Sequence, residues 1–151
     1  QPDLYPTDFD GPDNAFIMPH GLIGFPQHHH ATLHYQADHL PFLWMKLKGP
    51  DAPVHFVVIE PGGIIPTYAP GLFADDAFAL DLADPADAMV LNIVTLQQQN
   101  PLDATVNLIG PIIVNRRLRI GRQIVISNYS RYSAHHPLVA SPAAPVARAT
   151  A

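Results

Sequence analysis

The chain has 151 residues, of which 48% are apolar, and a formal net charge of −5 at pH 7. This length predicts one domain with a buried core, and the apolar content argues against disorder over the body of the chain. A mildly acidic surface disfavours direct binding to nucleic acid but permits association with a basic protein. The absence of cysteine excludes disulfides, thiolate nucleophiles and zinc–thiolate sites.

No apolar run approaches the roughly 20 residues of a membrane span, and no signal segment opens the chain. We therefore expect a cytoplasmic protein without membrane association. The chain has one Glu, two Lys and 17 Pro, so good helix formers are few and helix-breaking residues are many. This composition predicts a mainly β fold with short helical pieces.

The two ends of the chain are rich in loop-forming residues. Residues 1–14 predict an irregular N-terminal segment, with a short irregular strand as the alternative. Residues 139–151 predict a flexible tail, because they cannot bury enough apolar surface to offset an ordering cost of roughly 1–2 kcal/mol per residue. Residues 15–138 form the predicted domain. Within the turn-dense residues 19–26, three apolar side chains are expected to close the end of the core: Leu22, Ile23 and Phe25.

A histidine-rich segment occupies residues 27–39. His30 and His34 are four residues apart, which would place two imidazoles on one helix face, and histidine is a common metal ligand. Residues 31–35 nevertheless fit a strand as well as a helix, and the only nearby acid is Asp38. We favour a solvated polar surface, and a metal- or ligand-binding site is the alternative.

Two strands are predicted at residues 42–48 and 54–59, joined as an antiparallel hairpin by a Gly-Pro-Asp-Ala-Pro turn. The second strand is nearly all apolar, which is typical of burial on both faces. Its histidine, His55, is expected to be a packed or surface residue. In the first strand, Lys46 and Lys48 are expected to face solvent. Three other side chains are expected to face the core: Phe42, Trp44 and Met45.

One helix is predicted within residues 71–82, where apolar residues follow helical spacing and Asp75 and Asp76 suit the first turn. A third apolar strand is predicted at residues 89–96, with Asn92 as its one polar member. Residues 97–103 predict a polar loop.

The most strongly β-branched stretch runs from residue 105 to residue 126. Two apolar runs flank a loop that opens with Asn115 and closes with Gly121, residue types that tolerate positive φ at a reversal. Gly110 and Pro111 interrupt the first run and indicate a bulge, edge or bend, because proline has no N–H for the ladder. We expect a hairpin that frames a barrel or sandwich. Its loop holds four of the six arginines: Arg116, Arg117, Arg119 and Arg122.

Catalytic motifs are missing from the sequence. There is no glycine-rich phosphate loop and no Gly-x-Ser-x-Gly elbow, and the adjacent Asp75 and Asp76 lie where helix-capping residues belong. We therefore expect no enzyme and no cofactor. An enzyme that uses His55 or His20 with an acid is the least supported alternative.

Several phrases of the chain occur together in a characteristic order. Residues 16–25 read Phe-Ile-Met-Pro-His-Gly-Leu-Ile-Gly-Phe, and residues 56–61 read Phe-Val-Val-Ile-Glu-Pro. Residues 84–87 read Asp-Pro-Ala-Asp, residues 105–115 read Thr-Val-Asn-Leu-Ile-Gly-Pro-Ile-Ile-Val-Asn, and residues 136–138 read His-Pro-Leu. In wording and order, the chain resembles the flagellar assembly factors of the FliW type over about residues 16–138.

This resemblance implies a single compact antiparallel β-barrel-like domain with one short helix, and a non-enzymatic role. Members of the family bind flagellin, and they bind CsrA, a small dimeric RNA-binding translational repressor. Binding of CsrA relieves repression of flagellin translation. Newly made flagellin then captures the factor, and repression is restored. We expect a monomer that makes no direct contact with nucleic acid.

Two groups of residues follow as site predictions. Four basic residues are expected to contact a partner: Arg116, Arg117, Arg119 and Lys46. Five positions match the family signature and are interpreted as structural: Asn107, Pro111, Asn115, Gly121 and Gln123. In this interpretation Asn115 and Gly121 provide turn conformations, whereas Asn107 and Gln123 satisfy backbone groups across a ladder.

Overall fold

The computed structural model describes residues 14–96 and 104–138. The predicted N-terminal segment up to residue 13, the predicted polar loop at 97–103 and the predicted tail at 139–151 lie outside the described residues. The described part contains one α-helix, α1 (Ala74–Ala79), and three short 3-10 helices (Ala37–His39, Pro85–Asp87 and Tyr129–Arg131). Its strands are β1 (Ala15–Ile17), β2 (His30–His34), β3 (Phe42–Lys48), β4 (Val54–Ile59), β5 (Ala88–Thr95), β6 (Thr105–Val106), β7 (Ile112–Asn115), β8 (Ile120–Gln123) and β9 (His136–Pro137).

Seven of these strands close into a barrel in the order β4-β3-β2-β1-β8-β7-β5, because β5 pairs back onto β4. Neighbouring strands are antiparallel, except that β1 and β8 run parallel. The short strands β6 and β9 extend the sheet beyond β5. The predicted fold class, a mainly β single barrel-like domain with one short helix, is confirmed, with the β1–β8 pair as its parallel exception.

Strand β3 has the predicted bounds, and Phe42 packs against the apolar cluster around Ile59, but Trp44 lies on the opposite face to the one predicted. Leu43, Met45 and Leu47 point into the barrel, whereas Trp44 lies on the outer face with 38% of its surface exposed. Successive side chains of a strand alternate between its faces. Turning Trp44 inward would therefore also have turned Lys46 inward, at a high desolvation cost. The inward prediction for Met45 is confirmed.

The other predicted elements are present with small shifts. Strand β4 has the predicted bounds, but only its Ile59 end is fully buried, and His55 is exposed. Residues 61–68 cover that end, where Ile64, Ile65 and Tyr68 join its apolar cluster. The helix is shorter than predicted, since it ends at Ala79 and the next residue, Leu80, is buried in the core. The helix has six residues, and one of them, Phe78, has 88% of its surface exposed.

The predicted hairpin is formed by β7 and β8, and Gly110 and Pro111 mark the predicted interruption of its first arm. Thr105–Val106 is therefore a separate strand, β6, which pairs with β5 and β9. All four residues of β7 are buried, because one face lines the barrel and the other packs against Leu80 and Ile124. Burial on both faces explains the uninterrupted apolar run of this strand.

The turn at residues 19–26 closes one end of the barrel. Leu22 is buried and Phe25 packs against Phe56 with ring centroids 5.6 Å apart. The prediction for Ile23 is wrong, because this side chain is 73% exposed at the tip of the turn. The bridge between Leu22 and Phe25 turns the intervening residues outward.

Candidate functional site

The hairpin loop at residues 116–119 is organised by the buried side chain of Asn115. Its Oδ1 accepts hydrogen bonds from the N–H groups of Arg117 at 2.9 Å and Leu118 at 3.1 Å. Its Nδ2 donates to the carbonyls of Leu80 at 2.8 Å and Asp81 at 3.2 Å. Asn115 thus satisfies polar groups of two separate loops, which is a stronger constraint than a turn conformation alone.

The backbone conformations of the loop correct the prediction for Asn115 and Gly121. The residue with positive φ is Arg119, at 59°. Gly121 lies within β8 opposite Val114, where a Cβ would come within 2.9 Å of the Met18 sulfur and 3.0 Å of the Phe16 ring. A side chain at this position would crowd Phe16 of β1 and the adjacent Met18, so the role of Gly121 is close packing and not a turn. Sequence reasoning identified the position but not the reason.

Carboxylates of the same chain oppose the arginines of the hairpin. An Arg116 guanidinium nitrogen lies 3.0 Å from Glu60 Oε2, and Arg117 Nε lies 3.5 Å from Asp87 Oδ2. Arg122 lies in β8, not in the loop, with its Nε 3.6 Å from Asp76 Oδ1. Partly exposed pairs of this kind contribute only about 0–1 kcal/mol each. Their main consequence is that the basic charge of the hairpin is largely matched within the chain.

Glu60 is the most unusual carboxylate of this group. Burial raises its pKa above the usual value, and the nearby Arg116 guanidinium opposes that shift only in part. The charged form of Glu60 is therefore less well solvated than that of an ordinary surface glutamate.

Lys46 lies far from the arginines. It is on the outer face of β3, opposite Thr32 of β2 and His55 of β4. In the strand order, β3 is three strands away from β8 in one direction around the barrel and three from β7 in the other. The predicted partner-contacting residues therefore occupy two separate surfaces.

The remaining signature residues brace turns. Asn107 Oδ1 accepts from the N–H groups of Ile109 at 3.0 Å and Gly110 at 2.9 Å. Gln123 Nε2 donates to the Gly110 carbonyl at 3.1 Å, and its Oε1 accepts from the Ile23 N–H at 3.0 Å. Gln123 thereby ties two loops to β8. The buried Pro111 immediately precedes β7, and its carbonyl accepts a hydrogen bond from the Ile124 N–H at 3.0 Å.

The sequence did not indicate the hydrogen-bond partners of the buried Asn92. Asn92 Nδ2 donates to the Asn107 carbonyl at 2.9 Å and to the Tyr68 hydroxyl at 3.2 Å. The Tyr68 hydroxyl donates in turn to the Leu108 carbonyl at 2.7 Å, and burial raises the pKa of Tyr68. A polar residue inside an apolar strand was the available signal for Asn92, and nothing local indicated Tyr68.

The histidines are dispersed over the surface. His30 and His34 lie on strand β2, so the helical spacing predicted as one possibility does not occur. The part of the chain that the structure describes contains no group of three or more His, Cys, Asp or Glu side chains placed to hold a metal ion. His20 lines a surface cleft of about 310 Å³ together with Ile23 and Arg122, and His55 stands on the outer face of β4. Within residues 14–96 and 104–138, no helix has the length and apolar character needed to cross a bilayer.

Fold and site together define a small closed β-barrel whose signature side chains brace turns. Residues 8–138 match the family described as FliW protein. The chain is 35% identical over 126 residues to the flagellar assembly factor FliW of Natranaerobius thermophilus, covering 83% of this chain and 82% of that protein. It is 37% identical over 122 residues to the one of Geotalea uraniireducens, covering 80% and 71%.

A solved structure supports the same assignment. The crystal structure of the flagellar assembly factor FliW superposes with a TM-score of 0.73 at 27% identity, covering 92% of this chain and 96% of that chain. The chain belongs to the FliW family of flagellar assembly factors, as its ordered motifs predicted.

Proposed function

We propose that this protein is a non-enzymatic regulator that binds flagellin and a CsrA-type translational repressor, and so relieves repression of flagellin translation. The supporting observation is membership of the flagellar assembly factor family over residues 8–138. We further propose that it acts in the cytoplasm as a monomer, without a cofactor and without direct contact with nucleic acid. Such a role requires accessible surfaces and no reaction centre.

The proposed regulation is a pair of coupled binding equilibria. Free flagellin occupies the factor and leaves the repressor active, whereas depletion of flagellin releases the factor to bind the repressor. A formal charge of −5 favours encounter with a basic RNA-binding protein. Flagellin concentration would then control flagellin synthesis.

Calorimetric titration of the full chain with the flagellin and the CsrA-type protein of the same bacterium tests this proposal. We expect saturable binding of each, and weaker binding of the basic repressor at higher salt because exposed charges are screened. In a translation assay on a flagellin message, the chain should restore synthesis only when the repressor is present. Absence of binding to either protein at tens of micromolar, with titrations at two temperatures to reveal binding of near-zero enthalpy, would refute the proposal.

The arginine loop provides a more specific test. If Arg116 and Arg117 dock an acidic patch on flagellin, reversal of both to Glu should weaken flagellin binding by about tenfold or more, since each charge-assisted contact contributes about 1.5–3 kcal/mol. Arg131→Glu is the control, because Arg131 is an exposed arginine outside the loop, in the 3-10 helix Tyr129–Arg131. Equal flagellin affinity in the wild type and the double variant would remove this loop from the contact surface. Lys46→Glu tests the separate surface on β3 in the same way.

A further inference from the structure

A second surface lies between the start of β3 and the segment that follows β4. It is a cleft of about 400 Å³ with mostly apolar walls. Its single ionisable lining group is a carboxylate, which gives the cleft a negative charge at one point of an otherwise apolar lining. We call it the Glu60 cleft, and it is lined by Leu40, Pro41, Leu43, Glu60, Gly62 and Ile64.

The Glu60 carboxylate has unused hydrogen-bonding capacity. Within the described residues its one hydrogen-bond partner is Arg116, which reaches Oε2 at 3.0 Å. An ionised carboxylate offers about four acceptor positions, so Oε1 is available to a further donor. A cation with an apolar stem would suit this position, because its stem covers the walls while its head reaches the carboxylate. Arginine and lysine side chains have this form.

An exposed aromatic residue of β3 is linked to the rim of the cleft through His39. Leu40 at the rim is 48% exposed, and the neighbouring His39 contacts Trp44. Trp44 Nε1 donates to His39 Nδ1 at 3.2 Å, and the two rings are inclined by 66° with centroids 6.1 Å apart. This contact orients the indole on the outer face of the barrel. Tryptophan is among the residues most enriched at binding hot spots, since it buries a large area with little loss of side-chain freedom.

We infer that the Glu60 cleft, together with Leu40 at its rim and Trp44 on the other side of His39, docks a protein segment that presents an arginine or lysine beside an apolar residue. The inference rests on the proposed function, takes the basic CsrA-type repressor and not flagellin as the partner, and adds the surface and its chemistry. Charge complementarity selects this occupant, because the chain is acidic overall and the cleft carries a carboxylate. The incoming cation shares Glu60 with Arg116, and its apolar neighbour covers Leu40 and Trp44.

Shared use of Glu60 makes two substitutions act in opposite directions. Glu60→Gln removes the charge that binds the incoming cation and should weaken binding. Arg116→Gln removes the internal competitor for the same carboxylate and should strengthen binding. If the Glu60–Arg116 pair were purely structural, the two variants would instead change binding in the same direction, or neither variant would change it.

Trp44 is the only tryptophan of the chain, so incorporation of 5-fluorotryptophan gives the full-length protein a single ¹⁹F resonance. The probe is the tripeptide N-acetyl-Leu-Arg-Leu-amide, and the same peptide with norleucine in place of Arg is its uncharged control. We expect a saturable shift with the arginine peptide. Its dissociation constant should rise about tenfold or more in Glu60→Gln, the effect of losing one charged hydrogen bond, and should fall in Arg116→Gln.

Substitution of two leucines of similar exposure tests the cleft without disturbing the Glu60–Arg116 ion pair. Leu40→Ser should weaken peptide binding. Leu96→Ser should not, because Leu96, although 45% exposed, follows the end of β5 that is remote from the cleft. A resonance that does not move at millimolar peptide, or that moves equally in Glu60→Gln, overturns the inference even if flagellin and the repressor bind. Peptide binding at the cleft without binding of either protein would refute the proposed function and leave the cleft in place.

Discussion

Replacement of Asn115 by alanine is expected to lower the free energy of unfolding by about 3 kcal/mol. The side chain is fully buried and satisfies the carbonyls of Leu80 and Asp81 and the N–H groups of Arg117 and Leu118. Removal leaves buried polar groups without partners, at a cost of about 1–3 kcal/mol for each fully desolvated group. Urea unfolding followed by circular dichroism measures the change through the midpoint at constant m-value.

Asn128→Ala is the matched control. Its amide makes two hydrogen bonds, against four for Asn115, with the Gly71 N–H and the Ala69 carbonyl, but the residue is partly exposed and water can replace it. We expect a loss of about 1 kcal/mol or less there. Equal losses in the two variants would show that Asn115 does not hold the loops together.

Asn115→Asp separates hydrogen bonding from shape. It retains the Oδ1 acceptor but places a second oxygen against the Leu80 and Asp81 carbonyls, where the wild type has the Nδ2 donor. The variant should be at least as destabilised as Asn115→Ala at neutral pH. It should recover part of its stability in acid, when the carboxyl group is protonated and can donate.

Replacement of Gly21 by alanine is expected to destabilise the protein by about 3 kcal/mol. Gly21 has a φ of +62°, a conformation that costs other residues about 1–2 kcal/mol. A Cβ there would also collide with the Phe25 carbonyl oxygen and come within 2.9 Å of the Pro26 carbonyl carbon, and backbone atoms cannot move aside as side chains can. The turn must therefore rearrange and release the buried Leu22. Thermal unfolding of the variant measures the loss.

Gly62→Ala is the control for this substitution. No atom lies within 4 Å of a Cβ built at Gly62. Alanine should be neutral there, or stabilise by about 0.4–1 kcal/mol by restricting the unfolded chain. A Gly21→Ala protein as stable as wild type would show that the turn at residues 19–26 does not need its present conformation.

The positions of β3, β4 and β5 were readable from local patterns. Strands β3 and β4 have the predicted bounds, because a turn rich in Gly and Pro separates two apolar runs whose lengths suit strands. The β-rich class followed from the scarcity of good helix formers. The family followed from the order of its motifs, which is a property of the sequence alone.

The role of each signature residue was less readable. Gly121 lies in close packing, and its neighbours Phe16 and Met18 come from the opposite end of the chain. Asn115 bonds to the Leu80 carbonyl, 35 residues earlier. Local sequence suggested turn conformations for both, because it carries no information about which distant backbone will lie against them.

In the region predicted as a hairpin, residues 105–126, function likewise depends partly on local sequence and partly on tertiary contacts. The sequence by itself determined a β-rich domain of the FliW family with a basic loop. Only the tertiary structure decided that Arg116 meets Glu60, 56 residues away, that Lys46 lies on the other side of the barrel, and that Trp44 faces outward. The physical reason is that strand periodicity and turn propensity are local, whereas charge pairing and surface composition depend on the order in which strands close the barrel.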